Sequence, residues 1–394
     1  LSKVTRVTPL TGDGDGSGAL IDVETSDGAY QLHADWLVVA DGARSPIRRQ
    51  LGLDIDGKVF QDRFLIADVV MKADFPAERW FWFDPPFHPN QSVLLHREAD
   101  NVWRIDFQLG WDADPEHEKQ PEQVIPRIRA MLGPDRAFTL EWVSVYTFQC
   151  RRMADFRHGR LLFVGDAAHQ VSPFGARGAN SGIQDADNLA WKLKLVIDGR
   201  APEALLDTYD TERGEAANEN LLNSTRSTDF MTPKSQASRD IRNAVLTLAN
   251  DHAFARALVN SGRLSVPTHH RGSPLSTPDG AGDTFSGRMT PGAPMDDAPV
   301  TVDGHDGWLL AHTGNGFVLL LFGDAGTSAF DALAGDAIPV RTLHLPAEGI
   351  AARRYDARPG TACLIRPDQI VAARWHSPDP AAVRAAVARA TGNA

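Results

Sequence analysis

The sequence predicts a mixed α/β and α+β chain of two or three domains, and three observations carry that prediction. Residues 159–193 read as a buried strand, a turn bearing one acid, a Pro/Gly loop and a helix. Residues 36–48 repeat the first half of that pattern: an apolar strand, Asp41, Gly42, then a helix start. Between them, residues 59–150 read as successive strands of an antiparallel sheet. A length of 394 residues suits two or three domains.

The elements follow in order. Residues 3–9 and 19–25 pattern as two short strands. The string Gly14-Asp-Gly16-Ser-Gly-Ala19 between them fits a loose dinucleotide-binding turn, Gly-x-Gly-x-x-Ala. No helix follows it, so a polar Gly/Asp hairpin is expected instead. Residues 36–40 form a strand, and Ser45 caps a short helix whose first residue is Pro46. Strands are expected at 64–71, 79–83, 92–97, 102–109 and 138–148, with a helix over 121–132 lying across them. Alternation puts Trp80 and Trp82 on one face of that sheet. Leu161 to Val164 is an unbroken apolar run, as in a strand buried on both faces. Asn180 or Ser181 is expected to cap the next helix, whose N-terminal amides and dipole would favour negative charge. Residues 202–226 are helical by the spacing of Leu205, Leu206 and Tyr209, and 240–260 form a further helix. A Ser/Pro/Gly/Thr-rich link spans 266–287. From Ala293 the composition shifts: 316–323 is a buried strand, 361–375 a hairpin around Pro367-Asp368, and 380–390 a terminal helix.

Composition narrows the function. Hydrophobic residues make up 42% and charged residues 23%, ordinary for a globular protein. The net charge of −11 argues against a nucleic-acid partner, which needs concentrated basic surface. The two cysteines, Cys150 and Cys363, offer no disulfide framework and suit a reducing cytoplasm. No apolar run is long enough for a membrane span, and no signal peptide is visible. The chain opens on Leu1 rather than Met, and is expected to be the later part of a longer protein.

The stretch Gly-Arg-Leu-Leu-Phe-Val-Gly-Asp-Ala-Ala-His, with Asn-Ser-Gly-Ile-Gln-Asp-Ala-Asp-Asn-Leu-Ala-Trp-Lys-Leu after its loop, resembles the second FAD motif of flavin-dependent aromatic hydroxylases. The phenol hydroxylase and 3-(3-hydroxyphenyl)propionate hydroxylase branch is the one it is similar to. Trp36-Leu-Val-Val-Ala-Asp41-Gly42-Ala-Arg44-Ser-Pro-Ile-Arg48 is similar to the Asp-Gly motif that the same family sets between its flavin and nicotinamide sites. The family's opening strand, Gly-x-Gly-x-x-Gly turn and helix have no counterpart in the sequence, so these residues alone are expected to bind FAD weakly or not at all, and not to hydroxylate.

The resemblance implies a partial Rossmann-like FAD-binding domain over 1–56 and 151–200. It implies an antiparallel substrate sheet over 57–150, a helical segment and linker over 201–291, and a thioredoxin-like domain over 292–394. That last domain lacks Cys-x-x-Cys, which excludes dithiol redox work, and in this branch it mostly helps to pack a homodimer. The implied cofactor is FAD, with NAD(P)H as co-substrate and O2 as oxidant. A flavin C4a-hydroperoxide would hydroxylate a phenolic or related aromatic substrate in a site that excludes water.

By motif, the cofactor contacts fall on Asp41, Gly42, Arg44, Gly165, Asp166, Pro173, Gly175, Gly178, Ala179 and Asn180. Asp166 would hold the ribityl or pyrophosphate portion, or else simply cap the turn after a strand. Asp41 would stand near the ribityl chain, with the nicotinamide as a second neighbour, or else be an ordinary turn acid. Arg44 would contact phosphate or pair with Asp41, and Arg48 and Arg49 read as solvated helix residues. His169 is placed to order the loop. The substrate wall is expected from Trp82, His96, Gln108 and Phe174, with His96 and Gln108 as polar partners for a phenol oxygen or an acidic tail. No residue is assigned as the substrate-activating base. Two other readings stay open: an FAD oxidoreductase acting on a non-aromatic substrate, and a scaffold or dimerisation partner without flavin.

Overall fold

The computed structural model describes residues 1–12, 17–259, 266–323 and 329–394. The expected hairpin turn at Gly14–Gly16, and Asn260 at the end of an expected helix, lie outside the described residues. The flanking strands β1 (Lys3–Leu10) and β2 (Gly18–Thr25) do pair antiparallel, and β3 (Gly28–Ala34) completes their sheet.

The strand β4 (Leu37–Val39) is followed by the short helix α1 (Pro46–Gln50). The Ser45 side chain accepts from the Arg48 amide, and Pro46 opens the helix as its fixed φ favours. Six strands then make one sheet: β5 (Asp56–Val70), β6 (Trp80–Phe83), β7 (Ser92–Arg97), β8 (Val102–Leu109), β9 (Thr139–Arg152) and β12 (His169–Gln170). Their order is β12-β9-β5-β8-β7-β6, antiparallel throughout. Two helices, α2 (Pro115–Glu118) and α3 (Pro121–Leu132), lie between β8 and β9 in sequence.

Strict alternation on β8 divides this sheet into two faces. Trp103, Ile105, Phe107 and Leu109 are buried, in one core with Val124 and Ile128 of α3. Arg104, Asp106 and Gln108 point the other way.

The strands β10 (Arg157–His158) and β11 (Leu161–Phe163) form a small sheet with β4. β11 and β4 run parallel, Leu161 opposite Leu37 and Phe163 opposite Val39. This pair is the parallel nucleus expected of an α/β unit. α4 (Gly178–Ile197) and α5 (Asp207–Met231) pack on it through Leu189, Tyr209 and Ala217. The Tyr209 hydroxyl donates to the Phe163 carbonyl at 2.6 Å, so the buried phenol is satisfied. Val38, on β4, is 43% exposed.

The expected helix over 240–260 is two helices, α6 (Gln236–Ala249) and α7 (Ala253–Val259). The expected cap on α4 also differs. The helix begins at Gly178, with Arg177 at the N-cap and no side-chain cap, so neither Asn180 nor Ser181 serves. The Asn180 amide instead donates to the Ala176 carbonyl at 2.7 Å.

After the hairpin β13 (Pro299–Val302) and β14 (His305–Trp308), a four-stranded sheet forms. It comprises β15 (Phe317–Phe322), β16 (Val340–Leu345), β17 (Ala362–Ile365) and β18 (Val371–Trp375), in the order β16-β15-β17-β18. β15 is parallel to β16 and antiparallel to β17. α8 (Gly349–Arg354) precedes β17, and α9 (Pro380–Ala390) ends the domain. β15 is buried on both faces, which explains its unbroken apolar run. Phe317, Leu319 and Leu321 join a core with Val383 of α9 and Trp191 of α4. Val318, Leu320 and Phe322 meet Tyr355 and Ala352 on the other side. No described helix is long and apolar enough to cross a membrane.

Candidate functional site

Parallel pairing of β4 with β11 sets Asp41 and Asp166 just beyond the same carboxyl ends of adjacent strands, where ligands bind in open α/β sheets. Asp41 Oδ2 accepts from the Ile47 amide at 3.1 Å, so one oxygen serves the start of α1. Its other oxygen, Oδ1, is buried and has no hydrogen-bond partner among the described residues. Gly42 has φ +80°, and a Cβ there would meet nothing within 4 Å, so the backbone borders open space. Gly165 has φ +58°. Asp166 follows it, exposed, and partial burial raises its pKa while the nearby His169 opposes that shift.

The second turn of α4 packs closely on this turn: a Cβ on Gly182 would lie 3.4 Å from the Gly165 Cα. That helix start has no side-chain cap and no acid in its first turn, so its free amides and dipole suit an anionic ligand edge. The loop before it turns tightly, with Gly175 at φ +103° and Ala176 at φ +52°. The Ala176 amide donates to the Pro173 carbonyl at 3.0 Å. Ser172 fastens the loop to α5 through the hydroxyls of Ser224 and Thr228, at 2.8 and 2.7 Å. Pro173, Ala179 and Asn180 are exposed along it.

Phe174 is 6% exposed and makes edge-on contacts with Phe64 and Phe148, both at 5.4 Å. It therefore joins the loop to the sheet as packing. Gln108 lies on the same sheet face as Phe64, directly opposite it. Both ends of its amide are engaged: Nε2 donates to Asp62 at 3.0 Å, and Oε1 accepts from the Ser92 amide at 2.9 Å. His96 shares that face, opposite Arg104. Its Nε2 lies 3.0 Å from Glu98, burial lowers its pKa, and Nδ1 has no partner among the described residues. Trp82 does not join the group. It lies on the opposite face with Trp80 and Phe87, in the core behind α3.

Arg48 overturns an expectation. It is 4% exposed rather than solvated, and donates to the carbonyls of Ala167 at 2.6 Å and Ala43 at 3.0 Å. It thus pins the Asp41 loop to the Asp166 turn. Arg44 is exposed. With Arg48, Arg49 and Arg151 it borders a cleft of about 1050 Å³ that reaches Ser144 and Tyr146 on the sheet.

Two groups were not legible as site residues. Asp62 is buried, accepts from Thr232 at 3.3 Å, and pairs with Lys234. Burial and nearby Lys58 lower the Lys234 ammonium to about 8. Asp185, His169 and Arg213 form a buried cluster beneath Gly165. Only helical spacing hinted that Asp185 faces inward.

Comparison with known proteins shows the family. Residues 1–224, more than half of the chain, match the FAD binding domain family, and the chain belongs to it. Residues 288–394 match the aromatic-ring hydroxylase C-terminal family. A 3-(3-hydroxy-phenyl)propionate/3-hydroxycinnamic acid hydroxylase of Mycolicibacterium smegmatis is 32% identical over 269 residues, 66% of this chain and 46% of that protein. The 6-methylpretetramide 4-monooxygenase of Streptomyces rimosus is 33% identical over 385 residues, 87% of this chain and 64% of that protein. The chain thus spans about half to two thirds of the length of these curated relatives. The flavin-dependent monooxygenase PieE, solved with FAD and substrate, has the same fold: TM-score 0.80, 24% identity, 100% of this chain and 76% of that one. FAD is the cofactor of the family. The residues present fit it, with an unpartnered buried carboxylate oxygen, an uncapped helix start and glycine backbone bordering open space.

Proposed function

We propose that this chain serves an FAD-dependent, NAD(P)H-using monooxygenase that hydroxylates a phenolic or related aromatic ring. The observation that carries the reading is the convergence of Asp41, Asp166 and the bare N-terminus of α4 at the carboxyl ends of β4 and β11. When bound, FAD supplies hydride acceptance from NAD(P)H and activation of O2 for transfer to the ring.

The chain's own residues do the rest. Asp41 Oδ1 and the Asp166 carboxylate accept hydrogen bonds from sugar-alcohol hydroxyls. Gly42, Gly165 and Gly175 let backbone approach a planar group. The amides of Gly178, Ala179 and Asn180 stabilise negative charge on the flavin edge. Pro173 and the Phe174 cluster exclude water on one side. Arg44, with Arg48, Arg49 and Arg151, offers positive charge to the phosphates of FAD or of NAD(P)H. The sheet face bearing His96 and Gln108 forms the substrate wall, with Gln108 braced by Asp62 and Ser92 rather than free.

We keep as a proposal the domain limits read from the sequence; the antiparallel sheet itself runs from Asp56 in β5 to Arg152 in β9 and adds β12. The order β16-β15-β17-β18, with one parallel and two antiparallel pairings, supports a thioredoxin-like C-terminal domain. We propose further that it packs a homodimer, and that two free, buried cysteines suit a cytoplasmic setting.

The test is flavin fluorescence titration, followed by NADH and NADPH oxidation with and without a phenolic substrate, and detection of hydroxylated product, in a full-length enzyme that carries these residues. Substrate-stimulated oxidation with product formation supports the reading. Oxidation coupled to a non-aromatic substrate, or the absence of flavin binding by that full-length enzyme at millimolar FAD, overturns it.

A further inference from the structure

Asp185 sits on α4, fully buried, and its carboxylate is shared by groups from three separate elements. Oδ2 accepts from the Gly165 amide at 2.9 Å and meets His169 Nε2 at 2.7 Å. Oδ1 accepts from Arg213 Nε of α5 at 2.7 Å. Arg213 in turn reaches the first full turn of α4, donating to the Ser181 carbonyl at 3.3 Å and hydroxyl at 3.2 Å. Asn220 of α5 donates to the same hydroxyl at 3.2 Å.

The side chains that meet the Asp185 carboxylate are His169 of β12 and Arg213 of α5. Burial by itself would raise the Asp185 carboxyl. His169 and Arg213 outweigh it and hold the group ionised, below the usual carboxylate range. A charge-assisted bond from a buried carboxylate to a single backbone amide is a strong local restraint. Here that amide belongs to Gly165, in a left-handed conformation one residue before Asp166.

We propose that Asp185 is a positioning residue for the flavin site: with Arg213 it locks the Gly165–Asp166 turn to the start of α4, holding the two flavin-facing walls at a fixed separation. The inference rests on the FAD reading, but its mechanical part stands in the chain without ligand.

A matched control is built into the fold. Glu212 of α5 is another fully buried carboxylate clamped between α4 and α5, through Lys192 at 2.8 Å, and it makes no bond to Gly165. Asp185→Asn and Glu212→Gln each remove one such charge, and both lower Tm. Hydrogen exchange of the segment 161–170 in the unliganded chain separates them. Asp185→Asn is expected to speed exchange at the Gly165 amide at least tenfold under conditions where both variants remain folded. Glu212→Gln is expected to leave it within threefold. In FAD titration, Asp185→Asn raises Kd about tenfold or more, and Glu212→Gln changes it less than threefold.

Equal effects of the two variants on Gly165 exchange, or an Asp185→Asn protein with exchange and Kd within threefold of the parent, would overturn the proposal. If Asp185→Asn does not fold, Arg213→Lys keeps a cation against Asp185 and loses the Ser181 contacts. It is then expected to weaken FAD three- to tenfold with Gly165 exchange raised in parallel, and no change in either overturns the proposal. If the parent chain takes up no FAD, Gly165 exchange by itself decides the role of Asp185, and the flavin reading is decided separately in the full-length enzyme.

Discussion

Arg366 is where the C-terminal domain grips α4 and α5, and replacing it should loosen that junction. Its guanidinium is fully buried at the end of β17. It donates to both oxygens of Glu212, at 2.6 and 2.8 Å, and through Nε to Asp368 at 2.9 Å. Asn188 and Ser273 also bond Glu212, at 2.8 and 2.6 Å. Arg366→Met keeps much of the side-chain volume but leaves two buried carboxylates facing one cation, Lys192. Breaking a buried pair by removing one partner costs about 3–5 kcal/mol. That is a large share of a stability that is on the order of 5–15 kcal/mol for a typical domain.

The loss should depend on pH with a definite sign. In the parent, burial opposes ionisation of Glu212, but Arg366 and Lys192 prevail and hold its carboxyl well below the usual range. Its stabilisation is therefore present above the unfolded pKa and disappears as pH falls through the folded value. Without Arg366 the buried carboxylate prefers to be protonated, so the variant loses stability as pH rises. The gap between parent and variant should widen from about pH 4 to 7. Urea unfolding at a series of pH values, with limited proteolysis between residues 266 and 287, measures both the loss and the undocking. A gap under about 1 kcal/mol at pH 7.5, or one independent of pH, would refute the reasoning.

Two further outcomes follow from single residues. Asp106 lies among Arg79, Arg104, Asp68 and Glu98, with Oδ1 unpartnered among the described residues, and burial pushes its carboxyl up to about 7. A raised folded pKa favours the native state at low pH and ceases to do so as pH rises through 7. Asp106→Asn should therefore flatten the stability profile between about pH 4 and 7 and raise the urea midpoint at pH 8; an unchanged slope would rule this out. Gly57 has φ +140°, and a Cβ there would lie 2.3 Å from the Cys150 carbonyl oxygen across β5 and β9. Gly57→Ala should cost upwards of about 3 kcal/mol, and a thermal melt within 2 °C of the parent would show that the strands can part without penalty.

The sequence by itself determined the elements whose pattern is local. Alternation on β8, the unbroken apolar run of β15 and the Ser45-Pro46 helix start are consequences of side-chain period and backbone restriction, so they were legible directly. The two acid-bearing turns were legible for the same reason: Asp41 and Asp166 each end an apolar strand next to glycine. Local pattern misled where solvation is set by distant chain. Arg48 reads as a solvated helix residue, yet the Ala167 carbonyl lies 119 residues away in sequence and buries it. Trp82 reads as a substrate wall, but which face of a sheet meets the flavin loop depends on where α3 packs. The cap of α4 misread because the helix starts at Gly178, which puts Asn180 inside its first turn, where its side chain donates to the Ala176 carbonyl. What only the tertiary structure decided is the buried charge: Asp185 with His169 and Arg213, and Glu212 with Lys192 and Arg366. A charge can stay buried only when its partners converge from several elements, and that convergence has no period for a sequence to display.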